Sequence, residues 1–223
     1  EIPLRLVGSE MCIRDRFDEA YRVAQSKLFV MALRVRKQFL YENRKNVKAA
    51  IIVWDQQEKY LDRKHVIEAA WNWINMTIPV ISSTFASFSR MCKNLGAETL
   101  GHLFIDEAGQ ALPQAAVGAI YRSRHVMVVG DPLQIKPVLT LDSNTLYMLG
   151  EHFGVTEKYL SASASAQILA DAASQYGFYR KQDKAEDSWV GIPLWVHRRC
   201  RYPMFTISNM ISYDGFMVQG MEK

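Results

Sequence analysis

The sequence predicts an α/β protein: a parallel sheet whose strands alternate with helices, preceded by a long all-helical segment. Three observations carry this. No Gly or Pro occurs between Arg16 and Thr77, so helices there can run uninterrupted. From Pro79 onward, short apolar runs (His102–Ile105 and His125–Val129) alternate with helical patterns, as in a sheet buried on both faces. Each run stops abruptly, at Asp106-Glu107 in one case and Gly130-Asp131 in the other. Ligands of such sheets bind at the carboxyl ends of the strands, so the two ends are expected to share a site.

The elements follow in order. Residues 1–16 look foreign, because Val7–Arg16 resembles a peptide that recurs when sequencing-adaptor DNA is translated at the ends of assembled reads. They are expected to be a processing scar, the other reading being a native but poorly ordered arm. Next, Phe17, Ala20, Tyr21, Ala24, Leu28, Met31, Ala32, Val35 and Phe39 recur at helical steps and mark one face of a helix. Phe29, Val30 and Leu33 form a second apolar face, so both sides are expected to pack. Further helices are expected over 47–60 and 63–75. Pro79–Thr84 is short and β-branched and reads as a strand. Leu112–Arg122 reads as a helix, Asn144–Tyr176 as two, and Arg180–Ser188 as a polar loop. Trp189–Val196 reads as a strand leading into His197–Cys200, and Pro203–Tyr213 as a helix.

Composition bounds the function. Hydrophobic residues are 49% and charged residues 22%, which excludes wholesale disorder, collagen and coiled coil. No apolar run reaches the roughly eighteen residues of a membrane helix, and the start lacks the pattern of a secretory signal. Cys12, Cys92 and Cys200 form no disulfide framework and suit a reducing cytosol. The net charge is +4, and Phe17–Lys48 alone holds eight basic against three acidic residues. Such a stripe, with Arg34, Arg36 and Lys37 at its centre, either tracks phosphates or is a solvated helix face.

The chemistry lies at the strand ends. Phe104-Ile105-Asp106-Glu107 delivers two adjacent carboxylates whose side chains diverge, so each can serve a different partner. In phosphoryl-transfer sites one carboxylate holds Mg²⁺ through water, and a second can orient and deprotonate the attacking water. Many strands end on acids, so the context decides. Asp106-Glu107-Ala108-Gly109-Gln110-Ala111 resembles motif II of superfamily 1 helicases, and Gly130–Pro137 resembles their motif III. The helix and apolar strand between them fit that family too. The resemblance is nearest to its up-frameshift and nonsense-decay branch, which includes bacterial relatives with the same Asp-Glu-Ala-Gly-Gln-Ala box. Val80–Ser87 resembles the motif between Ia and II. His197–Cys200, with Pro203–Phe205 and Ser208-Asn209, resembles motif IV.

The resemblance implies a partial RecA-like parallel sheet (the P-loop NTPase fold) over 77–187. It also implies a helical insertion over 17–76 and the start of a second RecA-like domain over 188–223. It implies an ATP-dependent helicase or translocase on single-stranded DNA or RNA, using ATP and Mg²⁺. Asp106 would hold Mg²⁺ through water and Glu107 would activate the attacking water. Gln110 and Gln134 would sense the γ-phosphate, with Gly130 and Asp131 lining the nucleotide. Arg199, with Arg198 as the alternative, would stabilise developing charge. Ser82, Ser83, Thr84 and Phe85 would lie along the nucleic-acid backbone, where hydroxyls and N–H groups position a strand without reading bases.

Three departures qualify the match. Ser83 stands where threonine is common, and Ile135-Lys136-Pro137 replaces Leu-Pro-Pro. No Gly-x-x-x-x-Gly-Lys-Ser/Thr occurs, so no phosphate-cradling loop is present in the sequence. The chain is therefore expected to be an internal piece of a longer motor and inactive alone, with the rest of that motor as its partner. Two other functions stay open: a degenerate RecA-like domain that only binds nucleic acid, and a non-helicase P-loop ATPase or nuclease partner. His197 and Cys200 have metal-pair spacing without a second pair. Trp54, Trp71 and Trp73 sit in helical apolar patterns and read as core before base-stacking platforms.

Overall fold

The computed structural model describes residues 18–131, 133–139, 141–156, 159–160, 164–180 and 188–220. The segment expected to be a scar and positions 181–187 of the expected loop lie outside the described residues. The chain divides into two compact units, Glu1–Ser82 and Ser83–Lys223. Among the described residues no helix is long and apolar enough to cross a membrane.

The first unit is helical, as its lack of Gly and Pro predicts. Helix α1 spans Glu19–Glu42 and is capped by Asp18, whose carboxylate accepts the Tyr21 N–H at 2.9 Å. Helix α2 (Arg44–Asp55) and a 3₁₀ turn (Gln57–Tyr60) replace the single helix expected over 47–60, and α3 follows over Lys64–Thr77. Helices α2 and α3 pack together. Ile67, Ala70, Trp71 and Ile74 recur at three- and four-residue steps on α3 and are buried, as is Ala50 of α2. Trp71 meets Trp54 edge-on with ring centroids 6.1 Å apart, and Phe39 stacks on Trp73 at 5.9 Å. These three tryptophans therefore pack against other rings of the same unit.

Arg36 ties α1 to the end of α3. Its guanidinium donates to the Met76 carbonyl from Nε (2.7 Å) and Nη2, and to the Asn75 carbonyl at 3.2 Å. These carbonyls belong to the last helical turn, where acceptors have no intrahelical partner and a cation also meets the negative end of the helix dipole. The expectation that both faces of α1 pack is not met: none of its residues is buried, and Leu28 and Phe29 are 71% and 65% exposed. Arg36 and Phe39 tie α1 to α3, whereas every residue from Asp18 to Val35 is exposed.

The second unit holds the sheet. Its elements are α4 (Phe85–Met91), β1 (Leu100–Ile105), a 3₁₀ turn (Ala108–Gln110), α5 (Pro113–Tyr121) and β2 (Ser123–Val128). Then come α6 (Ser143–Phe153), α7 (Ala166–Ala173), β3 (Phe178–Arg180), β4 (Ser188–Val190), β5 (Val196–His197), α8 (Met204–Ser212) and β6 (Val218–Gln219). Strands β1 and β2 pair in parallel, with Leu103 opposite Val126 and Ile105 opposite Val128. The α/β class and this parallel pairing agree with the sequence. Ile105, Ala108, Ala111, Ala116 and Ala166 form the core, with Phe85, Leu103, Ile120 and Val128 packed on it. Alanine projects a single carbon, which lets the strand end, the 3₁₀ turn, α5 and α7 approach closely.

Three expectations need correction here. The sheet is not buried on both faces, because Phe104 and Met127 on one face of the pair are 69% and 57% exposed. Pro79–Thr84 is not a strand: no described segment pairs with it, and Val80 is 82% exposed. Thr84 instead caps α4 by accepting the Ser87 N–H at 3.3 Å. Trp189–Val196 is interrupted between β4 and β5. Pro193 has no N–H to offer a ladder, and the Gly191 N–H is taken by Asp171 Oδ1 at 3.1 Å.

Candidate functional site

Strand β1 ends by exposing two carboxylates in sequence. Asp106 Oδ1 accepts the Glu107 N–H at 3.0 Å and so fixes the first residue past the strand. Glu107 then adopts a left-handed backbone, φ 53° and ψ 38°. A non-glycine residue there is strained by about 1 kcal/mol or more, and such outliers cluster at functional sites. The turn continues into the 3₁₀ segment, with Ala108 and Gly109 buried beneath it. Gln110 folds back over it and donates from Nε2 to Glu107 Oε2 at 3.2 Å.

The end of β2 is locked to this turn through the backbone. Val129 N–H donates to the Ile105 carbonyl at 2.8 Å, and Ala108 N–H donates to the Val129 carbonyl at 3.0 Å. Gly130 then passes so close that a Cβ on it would lie 2.6 Å from the Gly109 nitrogen and 2.7 Å from that of Ala108. Only hydrogen fits, which gives Gly130 a reason independent of backbone angle. Asp131 follows and organises the next turn. Its Oδ1 accepts the Leu133 N–H at 2.9 Å, and its Oδ2 accepts Gln134 Nε2 at 3.1 Å. The Tyr213 hydroxyl also donates to Oδ2.

The structure thus brings Asp106, Glu107 and Gln110 to the same end of the parallel pair as Gly130, Asp131 and Gln134. Each glutamine is held by a carboxylate of its own turn. Asp106 and Glu107 are exposed, and among the described residues neither pairs with a basic side chain. Among the described residues no group of three or more His, Cys, Asp or Glu could cage a metal. That donor set suits a cation held by one or two carboxylates with water and phosphate completing the shell, as Mg²⁺ is in nucleotide sites.

The other sequence candidates are placed as follows. Arg199 is exposed on the turn after β5 and makes no hydrogen bond or ion pair with a described residue. His197 Nε2 accepts the Cys200 N–H at 2.9 Å, which occupies the lone pair a metal would need. Ser82 lies at the end of the first unit. Ser83, Thr84 and Phe85 open the second. Ser83 donates to the Thr84 carbonyl at 3.0 Å, and Phe85 packs on the core. Thr84 accepts at its oxygen, which leaves its hydroxyl hydrogen to donate. In the first unit Arg34 and Lys37 are exposed and unpaired among the described residues, whereas Arg36 is engaged on α3. Buried Cys92 is no nucleophile, because desolvation pushes its thiol up to about 11 against the opposing pull of Arg122.

Sequence reasoning missed Tyr213. It lies 82 positions from Asp131, and no local pattern announces such a pairing. Burial and the adjacent Asp131 carboxylate both raise its phenol above the ordinary range.

Residues 10–141, more than half of the chain, match a family model described as an AAA domain, and the match begins within the 1–16 segment. No curated protein and no solved structure gives a significant match.

Proposed function

We infer function from one premise: the chain belongs to the AAA-domain family of superfamily 1 helicases. That family is associated with ATPase and helicase activity, nucleotide and nucleic acid. We propose that this chain carries the metal-binding and water-activating part of an ATP-driven motor on single strands, of the up-frameshift-like branch. In this proposal 77–187 belong to one RecA-like domain and 188–223 open a second, with 17–76 inserted as helices and 1–16 foreign. The observation that supports the proposal most is the Gly130 contact, which brings the two acidic strand ends side by side.

Bound ATP with Mg²⁺ supplies the transferable γ-phosphoryl group. Asp106 keeps one carboxylate oxygen free of described partners, and with it would hold the cation. Glu107 projects beside it from its left-handed position, where it orients a water and takes its proton. Gln110 and Gln134, now held by Glu107 and Asp131, would exchange those bonds for the γ-phosphate, so that nucleotide state would be read as a change in two hydrogen bonds. Gly130 and Asp131 shape the wall, and Arg199 meets the developing charge. Ser82, Ser83, Thr84 and Phe85 contact the strand backbone.

Steady-state hydrolysis by the intact motor, with and without single strands, tests this reading. Single strands are expected to stimulate turnover. Gln134→Ala is expected to preserve nucleotide affinity but lose the stimulation. Stimulation that survives Gln134→Ala removes that residue from the coupling role.

The basic residues of α1 divide by what they touch. Arg36→Ala is expected to destabilise the first unit by about 1–2 kcal/mol in urea unfolding, the worth of a partly exposed charged hydrogen-bond pair. Arg34→Glu with Lys37→Glu is expected to leave stability in place and flatten the salt dependence of nucleic-acid binding. Unaltered salt dependence would mark α1 as a solvated face.

A further inference from the structure

Tyr213 caps the C-terminal end of α8, and its surroundings hold it from several sides. Its N–H donates to the Asn209 carbonyl at 3.1 Å. Asn209, nearly buried, binds both polar backbone groups of Met217: its Nδ2 donates to the carbonyl at 2.9 Å, and its Oδ1 accepts the N–H at 3.0 Å. Arg180 clamps the flanking residues by donating to the Ser212 carbonyl at 3.3 Å and to Asp214 Oδ2 at 3.2 Å. Met217 leads directly into β6, which pairs in parallel with β5. Val218 N–H reaches the Trp195 carbonyl and Gly220 N–H the His197 carbonyl, each at 2.8 Å. Strand β5 runs straight into Arg198 and Arg199.

We propose that Tyr213 is a positioning residue that links the Asp131–Gln134 turn to the arginine-bearing end of β5. The link is a continuous series of hydrogen bonds: Gln134 to Asp131, Asp131 to Tyr213, Tyr213 to Asn209, Asn209 to Met217, and β6 to β5. Its pivot is Asp131 Oδ2, which accepts from Gln134 Nε2 and the Tyr213 hydroxyl together. A change in Gln134 therefore alters the bond to Tyr213 and is felt at β5. The functional meaning of this link rests on the nucleotide role proposed above. The link itself does not, because it is made wholly of hydrogen bonds within this chain.

The test uses the full 223-residue chain and no nucleotide. Backbone amide exchange is compared for wild type, Tyr213→Phe, Asp131→Asn and the double variant. Tyr213→Phe is expected to speed exchange at Leu133 and Gln134 by about tenfold, the worth of one hydrogen bond to a charged group. A smaller rise is expected at Val218 and Gly220. The double variant is expected to add little to Asp131→Asn alone, which already weakens the Tyr213 bond along with those to Leu133 and Gln134. ¹³C NMR of the tyrosine Cζ atoms supplies a signature that mere destabilisation would not move. The Tyr213 phenol is expected to titrate above the ordinary range, and Asp131→Asn to lower its midpoint. Unchanged exchange at Leu133 and Gln134 in Tyr213→Phe overturns the proposal. So does a change there with none at Val218 and Gly220, or a Tyr213 midpoint indifferent to Asp131→Asn. If the link passes and nucleotide fails to bind at the turn, only the nucleotide reading falls.

Discussion

Glu107→Gln is expected to slow single-turnover ATP hydrolysis by the proposed motor by about two to four orders of magnitude, the usual worth of a positioned base. Nucleotide should still bind, because Asp106 is untouched and the new amide oxygen can accept the same bond from Gln110. Asp106→Asn should fail differently, by weakening Mg²⁺-dependent nucleotide binding itself. The left-handed backbone of Glu107 adds a second readout. Glycine adopts that conformation freely, so Glu107→Gly should abolish hydrolysis while leaving urea stability equal or higher. A large stability loss in Glu107→Gly would mean that the glutamate serves the fold rather than the chemistry.

The second large effect is structural. Gly130→Ala is expected to destabilise the second unit by about 3 kcal/mol or more, the upper end for overpacking, measured by the urea midpoint. The obstructing atoms are backbone nitrogens of Ala108 and Gly109, which cannot swing aside as a flexible side chain would. Gly101→Ala is the control: it lies in β1 with open space around its would-be Cβ and should change stability little. Equal effects at the two glycines would remove the idea that Gly130 clamps the two strand ends together.

The sequence exposed the strand ends because their signal is local. An apolar run such as His102–Ile105 that breaks into Asp106-Glu107 announces both a strand and the edge of a site. The helices of the first unit were equally plain, since sixty residues without Gly or Pro leave little else to form. Packing partners were less legible. The second apolar face of α1 resembles any core face, and only the fold shows that no described residue covers it. Pro79–Thr84 has strand composition, but a strand needs a neighbour, and composition cannot supply one. Motif reasoning placed Gln110 and Gln134 at the site without showing that Glu107 and Asp131 hold their amides. Tyr213 was invisible because its role depends on a contact between distant parts of the chain.

Paramagnetic NMR of this chain with Mn²⁺ in place of Mg²⁺, titrated together with ATP, tests most directly whether the two strand ends form one metal–phosphate site. Mn²⁺ broadens nearby amides steeply with distance, so even weak binding leaves a map. The expected result is joint broadening at Asp106, Glu107, Leu133 and Gln134, greatly reduced in Asp106→Asn. Broadening scattered over the exposed acids of the surface, or unchanged by Asp106→Asn, would contradict a shared site at the ends of β1 and β2.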